Sequence, residues 1–125
     1  MGISSDALLV YGFDVGETPD FLAGEEEFED FVVRKAGLSD ADWETKWAAV
    51  EACPAGWEQH CCDGFVMFIL AVPGTTIRAS RGYPKDITPD KLVVPQEKID
   101  AFLAWCSGAG IEVQTPQWLL TSWMG

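Results

Sequence analysis

The stretch Trp57-Glu-Gln-His-Cys-Cys-Asp63-Gly64-Phe65-Val-Met-Phe-Ile-Leu-Ala-Val72 decides the fold. An Asp-Gly pair between two β-rich runs supplies the positive φ values of a type I′ turn, which joins adjacent antiparallel strands through a two-residue link. The second run is apolar at every position, the pattern of a central strand covered on both faces. Pro73-Gly74 then turns the chain into residues 75–80, with Ile77 and Ala79 expected to point inward and Arg78 and Ser80 outward.

Upstream of this hairpin, residues 7–13 form an apolar run rich in Leu and Val that predicts a strand. Thr18-Pro19 reads as a helix start, and Phe21, Phe28, Phe31 and Val32 share one side of a helical wheel, with Gly24 as an expected interruption and Gly37 as the expected cap. Ser39 is the expected cap of a second helix, with Trp43, Trp47 and Val50 at i, i+4, i+7 facing the core. Downstream, Pro95 stands at the head of a helix carrying Ile99, Phe102, Leu103, Trp105 and Cys106, which Gly108 or Gly110 ends. Trp118 and Trp123 belong to a final strand that returns to the sheet, one face of which is open to solvent or a partner. The order β, α, α, β, β, β, α, β groups strands in the middle, which argues against alternating βαβ units. The expected fold class is α+β: a mainly antiparallel sheet of about five strands with three helices packed on it, as a single domain over residues 1–125.

A chain of 125 residues with 48% hydrophobic content can bury a core without disulfide or metal support. The N-terminus lacks the basic and long apolar regions of a secretory signal, and no apolar run is long enough to span a bilayer. Gly2 matches a myristoylation site only loosely. Cys53, Cys61, Cys62 and Cys106 contain no Cys-x-x-Cys pair, so reduced thiols in the cytosol are expected.

The formal net charge of −12 is carried entirely by one half of the chain. Residues 1–63 hold seven Asp and eight Glu against Arg34, Lys35 and Lys46, whereas residues 64–125 are balanced. Such a field repels nucleic acid and anionic membranes and draws in basic surfaces. Its densest part is Glu25, Glu26, Glu27, Glu29, Asp30, Asp40, Asp42 and Glu44, expected on two helices, where a shared face would resemble the charge spacing of a phosphate backbone. A run of this kind also solubilises a surface without further purpose.

Little points to catalysis. His60 is the sole histidine, and no nucleophile elbow, phosphate loop, dinucleotide fingerprint or His-Glu-x-x-His occurs. His60 and Cys61, as strand neighbours, are expected to point to opposite faces and so not to form a dyad. Cys53, His60, Cys61 and Cys62 have zinc-compatible chemistry but poor spacing, so no metal and no cofactor is expected. Arg78, Arg81, Tyr83 and Lys85 gather cations and a hydroxyl in a strand-to-loop passage suited to an anion, but with no fixed phosphate-site spacing the passage reads more readily as a solvated loop facing the acidic half.

Three segments carry a resemblance: Met1-Gly2-Ile3 with Leu8-Leu9-Val10-Tyr11-Gly12; Ile69-Leu70-Ala71-Val72-Pro73-Gly74-Thr75 with Arg81-Gly82-Tyr83-Pro84; and Trp118-Leu-Leu-Thr-Ser-Trp-Met-Gly125. In these the chain resembles a loose group of small proteins of tailed phages and prophages. That resemblance implies no activity. It implies a protein made in the host cytosol, where small acidic phage proteins block host defence or transcription machinery.

Charge and resemblance together favour a binding protein over an enzyme. The expected partner is a basic surface of a host protein or nucleoprotein complex, such as a CRISPR effector, contacted by the acidic helices without direct nucleic-acid or membrane binding. A homodimer is compatible with the same features. A second reading is a small-ligand binder that sequesters a nucleotide signal through Arg78, Arg81, Tyr83 and Lys85. A thiol-dependent enzyme using Cys61 or Cys62 is a third, though no motif names its reaction.

Overall fold

The computed structural model describes residues 5–17, 19–22 and 26–124. Its longest strand, β1 (Ser5–Gly16), is the hub of the sheet. One edge of β1 pairs antiparallel with β5 (Gln117–Met124), from Ser5↔Met124 to Gly12↔Gln117. The other edge pairs first with β4 (Ile77–Ser80) along Asp6 to Leu9, then with β3 (Phe65–Ala71) along Gly12 to Gly16.

The Asp63-Gly64 link joins β2 (Gly56–Cys62) to β3, with Cys62 opposite Phe65 and His60 opposite Met67. The hairpin forms as expected, but its turn is not type I′. Neither Asp63 nor Gly64 occupies the left-handed region; Cys61 does, at φ 79°. The kink that the turn would have supplied is thus moved two residues upstream.

The tip of this hairpin reaches the last residues of β5, where β2 and β5 pair parallel at Cys61↔Trp123 and Cys62↔Met124. With β3 also paired to β1, the strands β1, β3, β2 and β5 close into a ring, and β4 is added on β1. The result is a five-stranded, mainly antiparallel sheet with three helices, an α+β fold. Inside the ring, Val10, Ile69 and Ala71 are buried and Leu119 packs on them. Only strand residues meet there, since a ring of four strands has no room for a helix.

The helices cover the outer face. α1 (Phe28–Lys35) and α3 (Gln96–Gly108) bury Phe28, Phe31, Val32, Phe102 and Cys106 against Phe13, Leu70 and Val72 of the sheet side. Phe28 and Phe68 stack on Trp57, with ring centroids 4.8 and 4.4 Å away, and Trp105 packs edge-on to Phe31 at 6.1 Å.

Two expectations about the helices are corrected. The first helix starts at Phe28, not at Thr18-Pro19; Phe21 lies before it yet still packs on Phe31, 5.1 Å between ring centroids. Thr18 and Gly24 fall outside the described residues. The second helix, α2 (Trp43–Ala52), is capped by Asp42 and not by Ser39. Val50 leans on the core, but Trp43 and Trp47 are 71% and 46% exposed, and no residue of α2 is buried. Their side of the helix runs past the end of the core it was expected to cover.

Candidate functional site

The acidic residues of the first half separate into two groups. Glu27, Glu29 and Asp30 stand exposed at the start of α1, and Asp40, Asp42 and Glu44 at the start of α2. α1 has eight residues, so it rises about 12 Å between the two groups. Arg34 and Lys35 occupy its last turn, with their charges 5.3 and 5.6 Å from the Phe31 ring centroid. Glu26 does not belong to the exposed set. It accepts two hydrogen bonds from Arg34, both 2.9 Å, with only 13% of its side chain in solvent, and it raises the Arg34 pKa. Glu25 lies outside the described residues. Asp42 accepts from the Thr45 backbone N–H at 2.8 Å, and hydrogen bonding from the Thr45 side chain first, then from this N–H, holds its carboxyl below the ordinary range.

Between the acids lies a feature that spacing alone did not identify. The exposed rings of Trp43 and Trp47 stack on each other, 5.6 Å between centroids and 22° between planes. Their i, i+4 relation places them on one face of α2, and only the coordinates reveal that nothing covers it. A concavity of about 330 Å³ connects α1 to the sheet; Glu29, Trp57, Glu58, Gln59, Arg78 and Trp123 line it. Both faces of Trp57 are taken by Phe28 and Phe68, which leaves its edge toward this hollow.

The passage proposed for anions is partly engaged. Arg78 donates to Asp6 and to Glu58 at 3.4 Å each, and Thr76 donates to the same Glu58 at 2.9 Å. Those carboxylates offset the Arg78 charge before any ligand arrives. Arg81, Tyr83 and Lys85 remain at the surface, with Arg81 and Tyr83 beside an open hollow of about 600 Å³.

On the ring's inner face, three strands bring together a constellation that sequence reasoning missed. His60 Nε2 lies 3.1 Å from Asp14 Oδ1, and its Nδ1 lies 3.3 Å from Thr121 Oγ1. With Nε2 protonated, the imidazole donates to the carboxylate and accepts from the hydroxyl, the order of a proton relay. The same bonds brace β1, β2 and β5. Separations of 46 and 61 residues hide this trio from any local motif.

The cysteines divide by depth. Cys53 and Cys106 are buried, and burial pushes both thiols up, Cys106 to about 12. Cys61 and Cys62 are half-buried at the hairpin tip. Among the described residues no three His, Cys, Asp or Glu side chains converge as a metal set. No helix among them is long and apolar enough to cross a membrane.

No protein-family model, curated protein or solved structure matches this chain.

Proposed function

We propose that this chain is a binding protein that covers a basic, nucleic-acid-binding surface of a host defence complex through α1 and α2. The observation that carries the reading is the stacked Trp43–Trp47 pair, exposed on a helix with no buried residue and flanked by Asp40, Asp42 and Glu44. Adjacent solvent-facing indoles amid acids have the make-up of an interface anchor with a polar rim, and Trp is enriched at energetic centres of interfaces. The acids steer a cationic partner and the indoles hold it.

Tagged full-length protein is used to capture partners from host lysate, with capture challenged by salt and by excess nucleic acid. The expected result is a basic partner released by both. The Trp43→Ser/Trp47→Ser variant should lose at least about 30-fold in affinity, the loss of a hot spot worth 2 kcal/mol. The Glu29→Lys/Asp30→Lys/Glu44→Lys variant should fail to capture the partner. Glu26 is left alone because reversing it would break its pair with Arg34. If the charge-reversed protein captures the same partner undiminished, the reading is wrong.

A further inference from the structure

In an extended strand, successive side chains leave on opposite faces, so two neighbouring cysteines hold their sulfurs apart. At the end of β2 this rule is broken. Cys61 has φ 79°, the one positive value among described residues other than glycine. A side chain with a Cβ adopts this region at a cost, so the surrounding structure has to enforce it. The reversal turns both side chains to one side, and the Cys61 thiol donates to Cys62 Sγ at 3.8 Å. Both residues are half-buried, within reach of a small reagent, while Cys53 and Cys106 are sealed in the core.

We propose that Cys61 and Cys62 form a vicinal dithiol site that a hydroperoxide closes reversibly to a disulfide. Cys62 is the attacking sulfur, because the hydrogen bond it accepts pushes the Cys61 thiol up from its ordinary value and keeps that proton in place. The deprotonated Cys62 sulfur attacks one peroxide oxygen; the O–O bond breaks, and the departing oxygen leaves as an alcohol or water after taking a proton. Cys62 is then a sulfenic acid. Cys61 attacks its sulfur, the S–S bond forms, the S–O bond breaks, and the hydroxide leaves as water with the Cys61 proton. The two sulfurs give up two electrons and the peroxide accepts them. A cellular dithiol reverses the change by thiol–disulfide exchange.

The location gives this chemistry a consequence. Cys61 and Cys62 are the residues through which β2 pairs with Trp123 and Met124, and the Asp63 N–H extends the seam by donating to the Met124 carbonyl at 3.1 Å. Drawing the sulfurs from 3.8 Å to a bonded separation of about 2 Å twists the peptide between them. That peptide belongs to the seam closing the ring, so oxidation loosens the grip on the end of β5.

The test uses the reduced, full-length folded protein, treated with one equivalent of hydrogen peroxide, quenched with N-ethylmaleimide under denaturing conditions and digested for mass spectrometry. The expected peptide spanning 61 and 62 lacks two hydrogens and carries no maleimide, and dithiothreitol returns both alkylation sites. Cys53 and Cys106 are alkylated throughout. In Cys61→Ser, dimedone should trap a sulfenic acid at Cys62; in Cys62→Ser, Cys61 should give at least tenfold less adduct. Full alkylation of both sulfurs after peroxide, or conversion of Cys62 to sulfinic acid without an intrachain bond in the unmodified sequence, overturns the proposal.

Discussion

Gly12 is the residue the ring cannot change. β3 and β5 flank it on either edge, opposite Ala71 and Gln117, and a Cβ there would stand 1.9 Å from the Leu70 carbonyl oxygen. That oxygen is backbone in a buried strand and has nowhere to retreat. Gly12→Ala should therefore destabilise by about 3 kcal/mol or more, seen as a fall in the urea midpoint. Cys61 makes the converse case. Its left-handed backbone suits glycine, so Cys61→Gly should raise the midpoint and Cys61→Val lower it; equal midpoints would mean the strain is relaxed in solution. Neither residue announced itself in the sequence. Asp63-Gly64 identified the hairpin because polar turn residues between β-rich runs suffice for that, but which residue absorbs the twist depends on β5 pairing beside Cys61.

At the scale of elements, α2 behaves as an appendage. Because Trp43 and Trp47 face solvent and no residue of α2 is buried, replacing either with Ser should leave stability within about 0.5 kcal/mol while partner capture is lost. What holds the start of α2 is its Asp42 cap. The Asp42 carboxyl is depressed from its ordinary 3.8 by the Thr45 hydrogen bonds, so the folded state prefers the carboxylate more strongly than the unfolded chain does. The capping contribution is present above pH 4 and is lost as the pH falls through the lowered folded value, because the unfolded chain takes up the proton first. Asp42→Ala should flatten the acid limb of α2 helicity between pH 2 and 5, followed by circular dichroism, and an unchanged limb would exclude this cap. The i, i+4, i+7 spacing of Trp43, Trp47 and Val50 was legible as one face. What lies against a face is set by the tertiary path of the chain, and here only its Val50 end meets the core. Phe21 teaches the same lesson in reverse: its apolar match to Phe31 was readable, but Phe21 packs on that ring from before the helix and not from within it.

For the whole molecule, the order of elements was enough for an α+β fold, since consecutive strands pair locally. Ring closure was not legible, because it rests on a parallel seam of two residue pairs between β2 and β5, distant in sequence. The Asp14–His60–Thr121 trio was hidden for the same reason. Outside the ring, the core that joins α1, α3 and the sheet has a chemical weakness in alkali. Cys106 lies fully buried in it, and burial first, then the nearby Cys53, lifts its thiol from 9.0 to about 12. Once unfolded, the same thiol ionises near its ordinary value. Between pH 9 and 12 the unfolded chain therefore releases a proton that the folded chain keeps. Its stabilising contribution is complete below pH 9 and declines toward pH 12, with a slope approaching 1.4 kcal/mol per pH unit for one proton. Cys106→Ala loses packing and starts from a lower stability at pH 8, but it should fall less steeply from there to pH 11. Urea midpoints measured along that range for both proteins give the comparison, and parallel curves would show that the Cys106 thiol ionises as readily in the folded core as in the open chain.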